Sequence, residues 1–236
     1  MLRRHISIAT FLIPLFSFAG FAQAAEETDP LILAAIEAYK ADVKAEAAAK
    51  ADARVAQRAV DVTMDPGTPV IGNPDGDVVI VEFFDYQCTF CKAAEPRLRE
   101  LVEGDGNIRH VIKDFPILSP VSIVAAKAAL ASVNQGKHAP FHQGMMDHRG
   151  QLTEDRIWTI AAQASLDVAR LKQDMHAPAI TDQLIANMNL ARKLRMVVVP
   201  GFIVNTHVLS GLSGATETAK IDFNAEVAAA RAKNKM

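Results

Sequence analysis

The sequence predicts an α/β protein whose parallel or mixed β-sheet is split by an inserted block of helices and preceded by a helical extension. Three observations carry this reading. Val78 to Phe84 is a continuous β-branched and aromatic run, broken only by Glu82, as expected of a strand covered on both faces. A helical stretch and a second strand-like run, Ile108 to Lys113, follow it directly. Residues 119–195 then read as helix, after which short β-like runs return. The order is strand, helix, strand, helical block, hairpin, helix.

Residues 1–24 read as a secretion signal. Arg3 and Arg4 make a positive start, Ile6 to Phe21 is apolar around Pro14, and Ala22-Gln23-Ala24 offers the small residues of a cleavage site. The apolar run is short for a membrane span, which needs about 20 residues. Cleavage removes two arginines and no acid, which leaves 23 basic against 27 acidic residues and a net charge of -4. Residues 25–62 form a helical arm that opens at Asp29-Pro30, an N-cap residue followed by proline at the first helical position. Leu33, Ile36 and Tyr39 mark its apolar face, with Val43 beyond; the rest is rich in alanine. Such a helix is either a solvated arm or one that associates with its copies, although its few large apolar residues make a poor coiled-coil seam.

Residues 63–118 form the first half of the sheet domain. Asp65-Pro66-Gly67-Thr68-Pro69 and Asn73-Pro74-Asp75-Gly76 are turns. The strand 78–84 ends at Asp85-Tyr86-Gln87, and a helix begins at Cys88, with Pro96 inside it expected to kink it. Gly104 to Asn107 turns the chain into the strand at 108–113. The inserted block, 119–195, contains helices at Ala125–Val133, Phe141–Asp147, Thr153–Ala164, Leu166–Met175 and Ile180–Leu194, with Thr153 and Asp167 as caps. Residues 196–236 supply the second half: an apolar stretch ending at Pro200, a hairpin of Phe202–Val204 and Val208–Ser210, and a helix from Thr216 to Lys233.

Half the residues are apolar, so one substantial core is affordable. The slight negative charge and low aromatic content argue against nucleic acid as a partner. An exported chain with only two cysteines is not stapled by disulfides, so the pair is free for other chemistry.

That pair is Cys88-Thr89-Phe90-Cys91. A cysteine at a helix N-terminus faces unpaired backbone N–H groups and the positive end of the dipole, which stabilise its thiolate. The second cysteine lies one turn on, close enough to close a disulfide and to resolve a mixed one. Zinc would need four ligands, and c-type haem would need histidine where Lys92 stands. An inert disulfide closing so short a loop would constrain the unfolded chain little. No external cofactor is called for beyond the redox-active Cys88–Cys91 disulfide.

Residues Gly72 to Lys92, GNPDGDVVIVEFFDYQCTFCK, resemble the active-site segment of bacterial DsbA-like thiol:disulfide oxidoreductases, closest to the suppressor-of-copper-sensitivity and Com1-like branch. Lys113 to Leu118 and Phe141-His142 also match, and the likeness covers about residues 65–215. It implies a thioredoxin fold with a helical insertion. It also implies that Glu82 is a buried acid moving the proton of Cys91, rather than one paired with Lys113 for structure alone. By the same likeness, Pro200 is a cis-proline facing the disulfide. Val199 then offers its backbone to substrate, beside Thr89 and Phe90. Two departures follow: Phe90 stands where a histidine would stabilise the thiolate, and Gly201 leaves room that should loosen substrate selection.

The expected activity is exchange of disulfides with exported proteins in the periplasm, chiefly as a dithiol oxidase recharged by a membrane redox partner. The alternatives are a disulfide isomerase or reductase acting as a homo-oligomer built through residues 29–62 and kept reduced by a membrane partner, and, as a minor reading, a copper-binding or chaperone module. The histidines 110, 138, 142, 148, 176 and 207 show no metal-ligand spacing and read as solvated or capping, so no metal site is expected. Met145, Met146 and Met175 read as core or groove lining.

Overall fold

A computed structural model describes residues 29–46, 67–210 and 220–234. The predicted signal segment, the arm beyond residue 46 and the start of the predicted last helix lie outside these. Five strands, β1 (Val70–Gly72), β2 (Val78–Phe84), β3 (Ile108–Asp114), β4 (Gly201–Val204) and β5 (His207–Ser210), form one sheet in the order β1-β3-β2-β4-β5. β2 and β3 run parallel, and every other pairing is antiparallel. The apolar run 78–84 is thus central, as its two-sided hydrophobicity requires.

The pleat sorts the core. Val78, Ile80, Glu82 and Phe84 share one face with Ile108, His110 and Ile112, while Val81 and Phe83 share the other with Val111 and Lys113. The first face packs on α2 (Thr89–Asp105) and α8 (Phe223–Asn234) through Ala94, Leu98, Val102, Phe223 and Val227. At its upper end, Phe84 and Ile112 meet the inserted helices. The second face packs on α1 (Pro30–Glu46), α3 (Pro120–Ser132) and α7 (Pro178–Lys193). Between α3 and α7 lie a 3-10 turn (Val133–Gln135), α4 (His138–Asp147), α5 (Glu154–Gln163) and α6 (Val168–Asp174). The alanines of α3 are buried on opposite sides, Ala125, Ala128 and Ala129 toward the insertion and Ala126 toward the sheet, so it joins the two units.

The helix boundaries follow their caps. Ser119 accepts the Ser122 N–H and Pro120 occupies the first position, so α3 starts earlier than its apolar run suggests. Thr153 and Asp167 cap α5 and α6 as expected. The last helix begins at Phe223, where Asp222 accepts the Ala225 N–H; Lys220 to Asp222 are not helical. His207 belongs to β5 rather than to the turn.

The arm is not merely solvated over its described length. Ile32, Ile36 and Tyr39 are buried in the chain's own core, with the Tyr39 ring edge-on to Phe115 at 5.0 Å. Asp29 fastens the helix start: it accepts the Leu31 N–H, the Thr181 hydroxyl at 3.1 Å and Lys127 Nζ at 3.3 Å. Leu33, expected on the apolar face, points outward instead, because the buried stripe runs through 32, 36 and 39. Among the described residues no helix is long and apolar enough to cross a membrane.

Candidate active site

β2 ends beneath the cysteine pair, and α2 begins on it. Cys88 is the N-cap of α2 with extended backbone, and its Sγ accepts the Cys91 N–H at 3.1 Å. The same Sγ lies 3.5 Å from the Val199 carbonyl oxygen, to which its thiol donates. Both cysteines are thiols; Cys91 is fully buried and Cys88 nearly so. The Val199–Pro200 peptide is cis, as the resemblance implies. The start of the helix therefore places the Cys88 sulfur against a strip of irregular backbone brought from the far side of the insertion.

The electrostatics separate the two sulfurs. The Cys91 thiol hydrogen-bonded to Cys88 holds the Cys88 thiol below its ordinary value, helped by the N–H groups of Cys91 and Phe90 and opposed by burial and by Asp85. Burial pushes Cys91 well up, and the neighbouring Cys88 and Glu82 push it further. Phe90 thus contributes through its backbone, while its ring stands in solvent.

Glu82 is fully buried, and its Oε2 lies 3.1 Å from His110 Nε2. Lys113 sits on the opposite face of the sheet and donates to Thr68 Oγ1 at 2.8 Å, so the pairing with Glu82 considered from sequence does not form. Glu95, four residues after Cys91, is a second buried acid that the sequence reading missed; the i, i+4 spacing on α2 was its signal. Burial, with repulsion from Glu82 next, pushes the Glu95 carboxyl up to about 8. Lys92 is also buried, with Nζ donating to the His148 carbonyl at 2.9 Å.

Asp85 braces the site from behind. Its carboxylate accepts the N–H groups of Gln87 at 2.8 Å and of Ile117 and Leu118 at 3.0 Å. It ties the cysteine turn to the loop after β3. Gln87 adds a two-way bond to Leu152: its amide donates to the Leu152 carbonyl, and its oxygen accepts the Leu152 N–H. Thr89, Phe90, Leu118 and Val198 are exposed on the segments joined at this turn, and the last three are apolar. Gly201 does not widen the site. A Cβ there would meet buried Met196 Sδ at 2.9 Å, so the missing side chain makes room for the core and not for substrate.

Among the described residues, His110, His138 and His142 are buried rather than solvated. His138 and His142 lie one turn apart on α4, whose first turn accommodates Pro140. Their rings stack at 5.6 Å, and His142 Nδ1 pairs with the Tyr86 hydroxyl at 2.9 Å. Met145, Met146 and Met175 are core. Among the described residues no group of three or more His, Cys, Asp or Glu could hold a metal.

Burial pushes His138 down to about 4 and His142 well below the imidazole range, the latter also repelled by His138, His110 and Arg99. An unfolded chain takes up these protons near pH 6.5, so the stability tied to the neutral histidines is complete above that pH and declines as pH falls toward 4. For His138 the loss is on the order of 2–3 kcal/mol. Asp85, Glu95 and Asp114, whose carboxyls are raised by burial, favour the folded state in the same acid range. Comparison with His138→Leu isolates the histidine: the variant's deficit in thermal midpoint at neutral pH should shrink on acidification, and a constant gap would contradict the assignment.

A family model described as thioredoxin matches residues 64–221. A thioredoxin-like oxidoreductase from Silicibacter pomeroyi DSS-3 has a similar structure, with a TM-score of 0.66 at 38% identity over 72% of this chain and 95% of that one. The catalytic domain of ScsC from Proteus mirabilis is similar in fold, with a TM-score of 0.65 at 23% identity over 75% and 97% of the two chains. The Na(+)/H(+) antiporter NhaA 1 of Salinispora arenicola is 32% identical over 117 residues, which is 48% of this chain; the match spans only 18% of that longer protein.

Proposed function

Because the chain belongs to the thioredoxin family and shares its fold with the ScsC catalytic domain, we propose that it is a periplasmic thiol:disulfide oxidoreductase working chiefly as a dithiol oxidase on exported proteins. The observation that carries this reading is the asymmetry of the pair, with a Cys88 thiolate favoured at a helix N-terminus beside a buried, neutral Cys91. Stabilising the dithiol form makes the disulfide the stronger oxidant.

In the oxidase direction, a substrate thiolate attacks the Cys88 sulfur of the Cys88–Cys91 disulfide. That bond breaks, and Cys91 leaves as a thiolate that takes a proton, for which Glu82 is the proposed carrier. The second substrate thiol loses its proton and attacks the substrate sulfur of the mixed disulfide, and Cys88 leaves as its stabilised thiolate. Two substrate thiols have become a disulfide, and two electrons reside on the cysteine pair. A membrane redox partner accepts them to restore the disulfide. The Val199 carbonyl, beside Cys88 and next to Pro200, is the proposed pairing edge for an extended substrate segment, with Thr89 and the Phe90 ring contacting its side chains. The signal segment 1–24 supports export.

The burial of Ile32, Ile36 and Tyr39 against the chain's own core favours this reading over one that needs the same stripe for an oligomer. Equilibration of the purified protein with glutathione buffers tests the direction. A potential well above the roughly −270 mV of a thioredoxin-like reductant is expected, toward the −120 mV end of the range. A thioredoxin-like value would overturn the oxidase direction.

A further inference from the structure

The two oxygens of Glu82 are in different states. Oε2 is held 3.1 Å from His110 Nε2, while Oε1 is buried with no hydrogen-bond partner among the described residues. His110 is itself almost wholly buried, on the neighbouring parallel strand and on the same face of the sheet. Register explains the contact: Glu82 lies opposite Ile112 and His110 opposite Ile80, so the two side chains are diagonal neighbours on one pleat.

We propose that His110 is a positioning residue for the second half of thiol–disulfide exchange, anchoring Glu82 by Oε2 so that Oε1 exchanges the proton of Cys91. The inference rests on the thiol–disulfide reading above. A buried carboxylate is costly unless a partner compensates it, and His110 compensates one oxygen while leaving the other open. The titratable groups that interact with this pair are Cys91 and Glu95 from α2, Tyr86 from the turn before it, and His142 from α4. Glu95 also has an oxygen without a hydrogen-bond partner among the described residues, but it is raised by burial, and Arg99 lies 4.0 Å from its other oxygen. Burial thus favours a neutral Glu95, which lacks such an anchor, whereas Glu82 has a histidine held against one oxygen.

Dithiobis(nitrobenzoate) separates the two steps. With the reduced protein, the Cys88 thiolate attacks the reagent's disulfide, forming a mixed disulfide and releasing one nitrothiobenzoate. Cys91 then passes its proton to Glu82 and attacks the Cys88 sulfur. The Cys88–Cys91 disulfide forms, and a second nitrothiobenzoate leaves. His110→Phe should leave the first release unchanged and slow the second by about tenfold near pH 6, the equivalent of one unit in the pH–rate profile. The gap should close in alkaline solution, where the thiolate forms unaided. His110→Gln, which keeps a donor, should recover most of the rate. In a Glu82→Gln background the His110→Phe change should have no further effect. If His110→Phe does not fold, His110→Asn, too short to span the gap, takes its place in each arm. Absence of the first release in the unmodified protein would overturn the thiol–disulfide reading itself. A second release that is unchanged at every pH, or slowed equally with and without Glu82, would overturn the role of His110 alone.

Discussion

Replacing Cys88 with serine is expected to bring the catalysed reduction of insulin disulfides down to the background rate, a loss on the order of 10³-fold or more. The serine hydroxyl would occupy the same N-cap, and the Cys91 N–H that reaches the sulfur at 3.1 Å would still find an acceptor, so the fold should persist. What disappears is the nucleophile. A hydroxyl stays protonated where the thiol, held below its ordinary value by Cys91 and the helix N–H groups, ionises. Cys91→Ser should behave differently: the first attack survives, and a mixed disulfide through Cys88 accumulates, visible by non-reducing electrophoresis. Retained insulin reduction in Cys88→Ser would sink the whole assignment.

Asp85→Ala should cost about 3–5 kcal/mol in denaturant unfolding, because it removes the buried acceptor of the part-buried N–H groups of Gln87, Ile117 and Leu118. Each unsatisfied donor costs about 1–3 kcal/mol, partly relieved by entering water. The same change cuts the link between the cysteine turn and the loop carrying Leu118, so exchange should slow even in the folded variant. Asp85→Asn keeps one acceptor oxygen and should lose about half as much. Burial raises the Asp85 carboxyl, so the folded state binds its proton more tightly than the unfolded chain. The associated stability is present below the ordinary aspartate range and is lost as pH rises. The Asn variant's deficit should therefore narrow toward neutral pH. An Asp85→Ala protein as stable as the parent would show that water already serves these N–H groups.

The parts of the site visible in sequence are those whose chemistry is local. Val78 to Phe84 reads as a two-sided strand because its hydrophobicity leaves no face for water, and Cys88 reads as a helix N-cap because a turn separates it from that strand. Thr153 and Asp167 reveal their caps for the same reason. The misjudged residues depend on partners distant in sequence. Leu33 and Ile32 are both apolar, and only the position of α7 against α1 selects the second for burial. Lys113 and His110 are both close enough in sequence to pair with Glu82, and the pleat decides for His110. Gly201 looked like space for substrate until Met196 filled it. His138 and His142 carry no mark of burial, because imidazole suits water and core alike until its surroundings are known.

The sequence by itself determined the fold class and the placement of the cysteine pair, one at a helix start and the other one turn deeper. These follow from periodicity and from the geometry of a single helical turn, which act over a few residues. Tertiary structure alone decided what surrounds the pair: the Val199 carbonyl 3.5 Å from Cys88, the Asp85 brace, the partner of Glu82 and the second acid, Glu95. Those depend on the sheet register and on how the inserted helices close over the strand ends. That arrangement makes the two cysteines unlike: the hydrogen bond from Cys91 lowers Cys88 against its own burial, and complete burial raises Cys91.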